Sequence, residues 1–114
     1  MNKDDKNLQA CINACWECRH SCQQTLFNHC LKIGCKHVEI DHVKIMIDCI
    51  QLCQTVADFM TRNSQFSLTL CEPCAIVCEK CALSCDNIGG EEMQHCAETC
   101  RHCAKICRAY LNNE

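Results

Sequence analysis

Seventeen of the 114 residues are cysteine, and their spacing is periodic. Cys11, Cys15, Cys18 and Cys22 step by four, three and four; Cys71, Cys74, Cys78, Cys81 and Cys85 repeat the alternation, as do Cys96, Cys100, Cys103 and Cys107. On an α-helix such steps keep every thiol on one face, where a bundle ordinarily carries leucine. Cys49 and Cys53 share a helical face with His42, Ile45, Met46, Val56 and Met60, while Cys30 and Cys35 fall off the regular register. One or two cysteines read as small buried hydrophobes. Thirteen in repeating register on three segments do not, because they would leave a core thinly packed where leucine would fill it.

What chemistry suits such a stripe? Residues three or four apart on a helix hold their Cβ atoms about 5 to 6 Å from each other, whereas a disulfide wants roughly 3.5 to 4.5 Å. A metal bridges that gap better, since two metal–sulfur bonds of ~2.3 Å span about 4 to 5 Å. Soft thiolates select Cu(I), zinc or iron–sulfur clusters. Zinc asks for separated sets of four converging ligands, which a continuous stripe does not supply. The run "CEPCAIVCEKCALSC" lacks the glycines and spacing of a ferredoxin. Cu(I) accepts two or three bridging thiolates, so a tube of thiols suits it. With each thiolate bridging two ions, capacity is on the order of one Cu(I) per cysteine.

The elements that must position these thiols are helices. One proline, three glycines and few alternating β-branched runs leave no punctuation for a β protein. Helical periodicity predicts four segments, at about 5–31, 39–62, 65–86 and 91–111. Gly34 and Gly89-Gly90 end two of them, and Glu91-Glu92 suits the positive start of the last. Ser64 or Ser67 capping the third would bury Pro73 within it, whereas a start near Cys71 avoids the kink; both remain open. Short connections predict an all-α, antiparallel up-down-up-down four-helix bundle with a cysteine-lined core, one domain over 1–114.

That topology gathers His29, Cys30, Cys35, His37, His42, Met46, Cys85, Met93 and His95 at one end, read as the mouth for metal. Leu8, Met60, Phe66, Leu70, Tyr110 and Leu111 gather at the other, read as an apolar plug. His29 and His42 point toward the stripe, as mouth ligands or capping core residues. His20, His95 and His102 fall off it and read as surface residues; Met46 and Met60 read as gap-filling core, and Trp16 as packing or a contact between bundles.

Together, "CINACWECRHSC", "CEPCAIVCEKCALSC" and "HCAETCRHCAKIC" resemble the four-helix-bundle copper storage proteins of bacteria, specifically their cytosolic branch. The resemblance spans essentially the whole chain. It implies many Cu(I) ions per chain, held by the stripe cysteines, with Cys30 and Cys35 carried over on a weaker match, and a homotetramer of bundles. A copper chaperone or a low-molecular-weight thiol is the donor that such storage implies. The predicted helix at about 39–62 carries just two cysteines, so that side of the bundle offers fewer ligands.

Other readings have less behind them. A zinc or general soft-metal buffer is the alternative binding function. The C-x-x-C at Cys71 to Cys74 lacks the βαβ context of a thiol–disulfide oxidoreductase, and no carboxylate pair, phosphate loop or nucleophile triad suggests other catalysis. A net charge of −3 offers no basic stripe for nucleic acid, and no apolar run approaches membrane length. The polar start "MNKDDKNLQAC" has no apolar leader core, so the expected compartment is a reducing cytoplasm, where structural disulfides are disfavoured.

Overall fold

The computed structural model describes residues 3–112, with side chains described from Lys6 onward. Helix α1 (Lys3–Thr25) passes through a π-turn (Leu26–Cys30) into the short α2 (Leu31–Ile33). A 3₁₀ turn (Cys35–Val38) leads to α3 (Ile40–Thr61), followed by α4 (Ser67–Ile88) and α5 (Glu91–Asn112). Helix α1 packs on α3 and α5, and α4 on α3 and α5, so sequential helices are neighbours around a square. The result is the expected up-down-up-down bundle, a rod of 47 × 19 × 18 Å.

Helices this long and this apolar on one face fold by burying that face. The face is unusual in content. Sixteen cysteines are buried, accompanied by Ala14, Ala57, Ala75, Ala82, Ala97 and Ala104. Among the described residues, larger buried side chains are confined to Ile12, Leu26, His42, Met46, Val56, Met60 and Met93, which lie toward the two ends or beside the column. Cysteine and alanine are small, so close packing at interior density requires these helices to approach closely. Across the α4–α5 seam, Arg108 grips Glu79 with two hydrogen bonds of 2.9 and 2.7 Å, and Arg101 pairs with Asp86. Both pairs are solvent-exposed, so they orient the seam more than they stabilise it.

The turns follow from backbone chemistry. Gly34 ends α2 at φ 76°, and its N–H donates to the Cys30 carbonyl at 2.9 Å. Gly89 ends α4 at φ 82°, ψ 175°, donating to the Cys85 carbonyl at 3.0 Å. Neither serine provides the expected side-chain cap of α4. Phe66 holds the cap position, the Ser64 hydroxyl accepts from the Phe66 N–H at 3.1 Å, and Ser67 begins the helix. Pro73 therefore lies inside α4. It removes one hydrogen bond to the Thr69 carbonyl, but Thr69 and Pro73 both face outward, where water can serve that oxygen.

Gly89 has open space around its Cα but a backbone conformation that side-chain-bearing residues avoid. Gly89→Ala is expected to lower the stability of the reduced, metal-free protein by about 1 to 3 kcal/mol, from strain alone. Urea unfolding followed by circular dichroism measures it.

Candidate metal centre

Cysteines at the 4/3 positions of α1, α4 and α5, with Cys49 and Cys53 of α3, form one buried column of sulfur along the bundle axis. All seventeen thiols are free. The sulfur–sulfur contacts run between helices, not along one. From the plugged end they include Cys11–Cys107 at 3.6 Å, Cys15–Cys103 at 3.9 Å, Cys53–Cys78 at 3.6 Å, Cys18–Cys49 at 3.7 Å, Cys22–Cys100 at 3.4 Å and Cys22–Cys96 at 3.7 Å. Spacing alone suggested pairing along a single helix; packing brings partners closer from the facing helices.

These separations decide what the column can bind. A disulfide holds its sulfurs about 2.05 Å apart, and none of these contacts is one. An ion with metal–sulfur bonds of ~2.3 Å bridges sulfurs about 3.8 Å apart at a tetrahedral angle and about 4.0 Å apart at a trigonal one. The observed 3.4 to 4.0 Å is ordinary contact between neighbouring thiols and also fits thiolates that share a metal. Three tetrads of buried cysteines have all their sulfurs within 4.8 Å of one another: Cys15, Cys74, Cys103 and Cys107; Cys18, Cys53, Cys78 and Cys103; Cys18, Cys22, Cys49 and Cys100. Cys103 belongs to the first two and Cys18 to the last two. The sites are thus fused into a ladder, not isolated.

Protonation follows the same network. Hydrogen bonds to Cys103, Cys15 and other neighbours, with burial adding, push the Cys53 thiol up. Hydrogen bonds from Cys100, Cys103 and Cys22 hold Cys18 down against the opposing effect of burial. A thiolate formed in the column is thus solvated by neighbouring S–H groups in place of water. Cys30, with fewer such neighbours, is pushed up to about 11, chiefly by burial.

At the mouth the structure and the sequence register differ. Counting 100° per residue from Cys22 puts residue 29 about 20° from the column face and residue 30 about 80° away. The π-turn takes in one extra residue, marked by the Leu31 N–H reaching back five residues to the Leu26 carbonyl. Cys30 is thereby swung fully inside, and His29 is left half-exposed, edge-on to His37 with ring centroids 5.2 Å apart. Cys30 Sγ lies 3.7 Å from His42 Nε2 and donates to Met93 Sδ at 3.7 Å. His42 Nδ1 is 2.7 Å from Ser84 Oγ, which fixes the ring and leaves Nε2 turned to Cys30. Burial, with the His37 charge adding, holds the His42 imidazole below its ordinary value, so its neutral, metal-binding form is favoured.

Cys71, Cys81 and Cys85 are buried in the column, with Cys71 donating to the Ser67 carbonyl at 3.4 Å. Cys35 is not brought to it: the residue sits in the 3₁₀ turn at φ 51°, exposed. Met46 and Met60 are buried and His20, His95 and His102 exposed, as expected. Trp16 is 41% exposed and lines a groove with Leu8, Ile12 and Met60 over the plugged end. Met93 is one of several residues that the sequence places at the mouth, whereas Ser84 carries no sequence signal of its role.

Comparison with known proteins bears directly on this column. The family profile described as copper storage protein matches residues 4–112. The chain belongs to the copper storage protein family. Among solved structures, this family member resembles a Nitrosospira multiformis protein at 46% identity and TM-score 0.91, covering 96% of this chain and 99% of that one. It resembles the Cu(I)-bound copper storage protein BsCsp3 at 28% identity and TM-score 0.85, covering 92% and 98%. Metal-free copper storage protein 3 of Bacillus subtilis matches at 30% identity and TM-score 0.81, over 90% and 97%. Comparison with curated proteins finds no match.

Because Cys18 contributes to two tetrads and Cys35 to none, their loss should differ. Cys18→Ser is expected to lower Cu(I) capacity by roughly two ions or more, and Cys35→Ser to leave it within error of the parent. Anaerobic Cu(I) titration against a chromophoric chelator measures both.

Proposed function

We propose that this protein stores Cu(I) along the sulfur column, on the order of one ion per buried cysteine. The observation that carries the reading is the set of interhelical sulfur contacts at 3.4 to 4.0 Å, fused into tetrads that share Cys18 and Cys103. Sharing favours Cu(I) over zinc on charge as well as geometry. The three tetrads use ten cysteines, since two serve twice. Three divalent ions among ten thiolates would leave several negative charges in a dry core, at a large desolvation cost. One monovalent ion per thiolate leaves none.

Loading runs from the mouth. Cys30, His42 and Met93 present thiolate, imidazole and thioether within reach of one soft ion, and the far end is closed by apolar side chains. His29 and Cys35 stand at the outer rim, where an incoming ion would meet them before the column. As each thiol exchanges its proton for Cu(I), the charge inside stays balanced and the dry core shields the metal from oxidants. The donor we infer is a copper chaperone or a low-molecular-weight thiol complex, in a reducing cytoplasm that keeps seventeen thiols free. No helix among the described residues is long and apolar enough to cross a membrane. We read the whole chain, 1–114, as one storage domain without catalytic activity. Assembly into a homotetramer would cover exposed apolar side chains such as Ile47, Ile76 and Leu83.

Anaerobic titration separates the two metal readings. Cu(I) is expected to bind to about 16 equivalents per chain without visible absorption, and zinc to stop near one ion per four cysteines. Saturation by Cu(I) at three or four equivalents would contradict storage.

A further inference from the structure

Among the described residues, the π-turn at Leu26–Cys30 is the one place where a bundle helix leaves regular α geometry, and it lies directly at the mouth. π-turns are rare, appear mostly as single turns inside α-helices, and recur at functional positions. Here the alternative register is available at little cost. If the Leu31 N–H moved from the Leu26 carbonyl to the Phe27 carbonyl, one hydrogen bond would replace another and the turn would become α-helical. The segment beyond is held by backbone bonds and not by packing: Leu31, Lys32 and Ile33 are all exposed, and the Gly34 N–H donates to the Cys30 carbonyl at 2.9 Å. Gly34, at φ 76° and ψ −151°, and Cys35, at φ 51°, form a loop that can absorb the rotation. Straightening would turn Cys30 about 80° off the column face and bring His29 to within about 20° of it.

We propose that this π-turn is a two-register gate in which His29 and Cys30 alternate as the donor at the mouth, passing Cu(I) inward. The inference rests on the copper-storage reading above. In the α register, His29 takes the ion at the rim with its imidazole nitrogen. In the π register, Cys30 faces His42 and Met93 inside. The ion passes first to His42 Nε2 and Met93 Sδ as its bond to the His29 nitrogen breaks; the register change then brings in Cys30, whose copper–sulfur bond forms as its thiol proton leaves to water at the rim. Cys30 and His29 thus never need to bind together, which is why one chain carries both at adjacent positions. The contacts of Cys30 with His42 and Met93 favour the π register when the mouth is closed.

The test uses two variants of the full chain. Deletion of Asn28 shortens the turn to a regular α-helix with Cys30 fixed inward and His29 fixed outward; His29→Ala removes the alternate donor and leaves the turn. In both, Cu(I) uptake from a chelator complex and its removal by excess chelator should slow by roughly tenfold or more, because the alternate donor no longer reaches the mouth. Final capacity should stay within about one Cu(I) of the parent, the rim site that His29 itself supplies, because the column thiols are untouched. Parental rates in either variant would overturn the gate, whereas failure of the unmodified chain to take up many Cu(I) ions would overturn storage itself. Independently of whether the deletion folds, amide relaxation dispersion on the metal-free parent should show microsecond-to-millisecond exchange at residues 29–33 that is absent from the middle of α1 and quenched by copper. A flat profile at those residues would also overturn the gate.

Discussion

The structure depends on one constraint: sulfurs that point inward from four facing helices come to rest 3.4 to 4.0 Å apart. That distance is too long for a covalent bond and short enough to share an ion. Helical periodicity fixes it, not any single contact. Alternating steps of three and four place each thiol a turn above the last, and the small cysteine and alanine side chains set how close the helices stand. A leucine at any of these positions would fill the space the ions need.

The same constraint links metal and fold. The metal-free core is made of side chains that bury little apolar area each, held by weak thiol hydrogen bonds. Copper replaces those bonds with metal–sulfur bonds that tie helices together across the axis, because nearly every contact in the column is between helices. Ligands that bind the folded state alone stabilise it, so storage and stability rise together. The surface ion pairs Arg108–Glu79 and Arg101–Asp86 bear little of that load.

Much of this was legible in the residues. The stripes at Cys11 to Cys22, Cys71 to Cys85 and Cys96 to Cys107 announced both the helices and their inner faces, and Gly34 and Gly89 marked two of the turns. What the sequence hid has physical reasons. Pro73 raised doubt about where α4 begins, yet the bond it removes faces water and the helix runs on from Ser67. His29 and Cys30 exchanged places because a π-turn inserts one residue, an event that depends on what Cys30 finds across the bundle and not on local propensity. Cys35 joins the cysteine count, but its left-handed backbone in the turn keeps it outside. The Ser84 hydroxyl that orients His42 could be found only once α3 and α4 were set side by side.

The central claim is that interhelical sulfur, and sulfur almost alone, holds the copper. X-ray absorption at the copper edge on the fully loaded, anaerobically prepared protein measures this most directly. The account predicts two or three sulfur neighbours per copper at ~2.3 Å, with nitrogen contributing no more than a single mouth site would. A first shell dominated by nitrogen or oxygen would contradict it, because the copper would then lie outside the column.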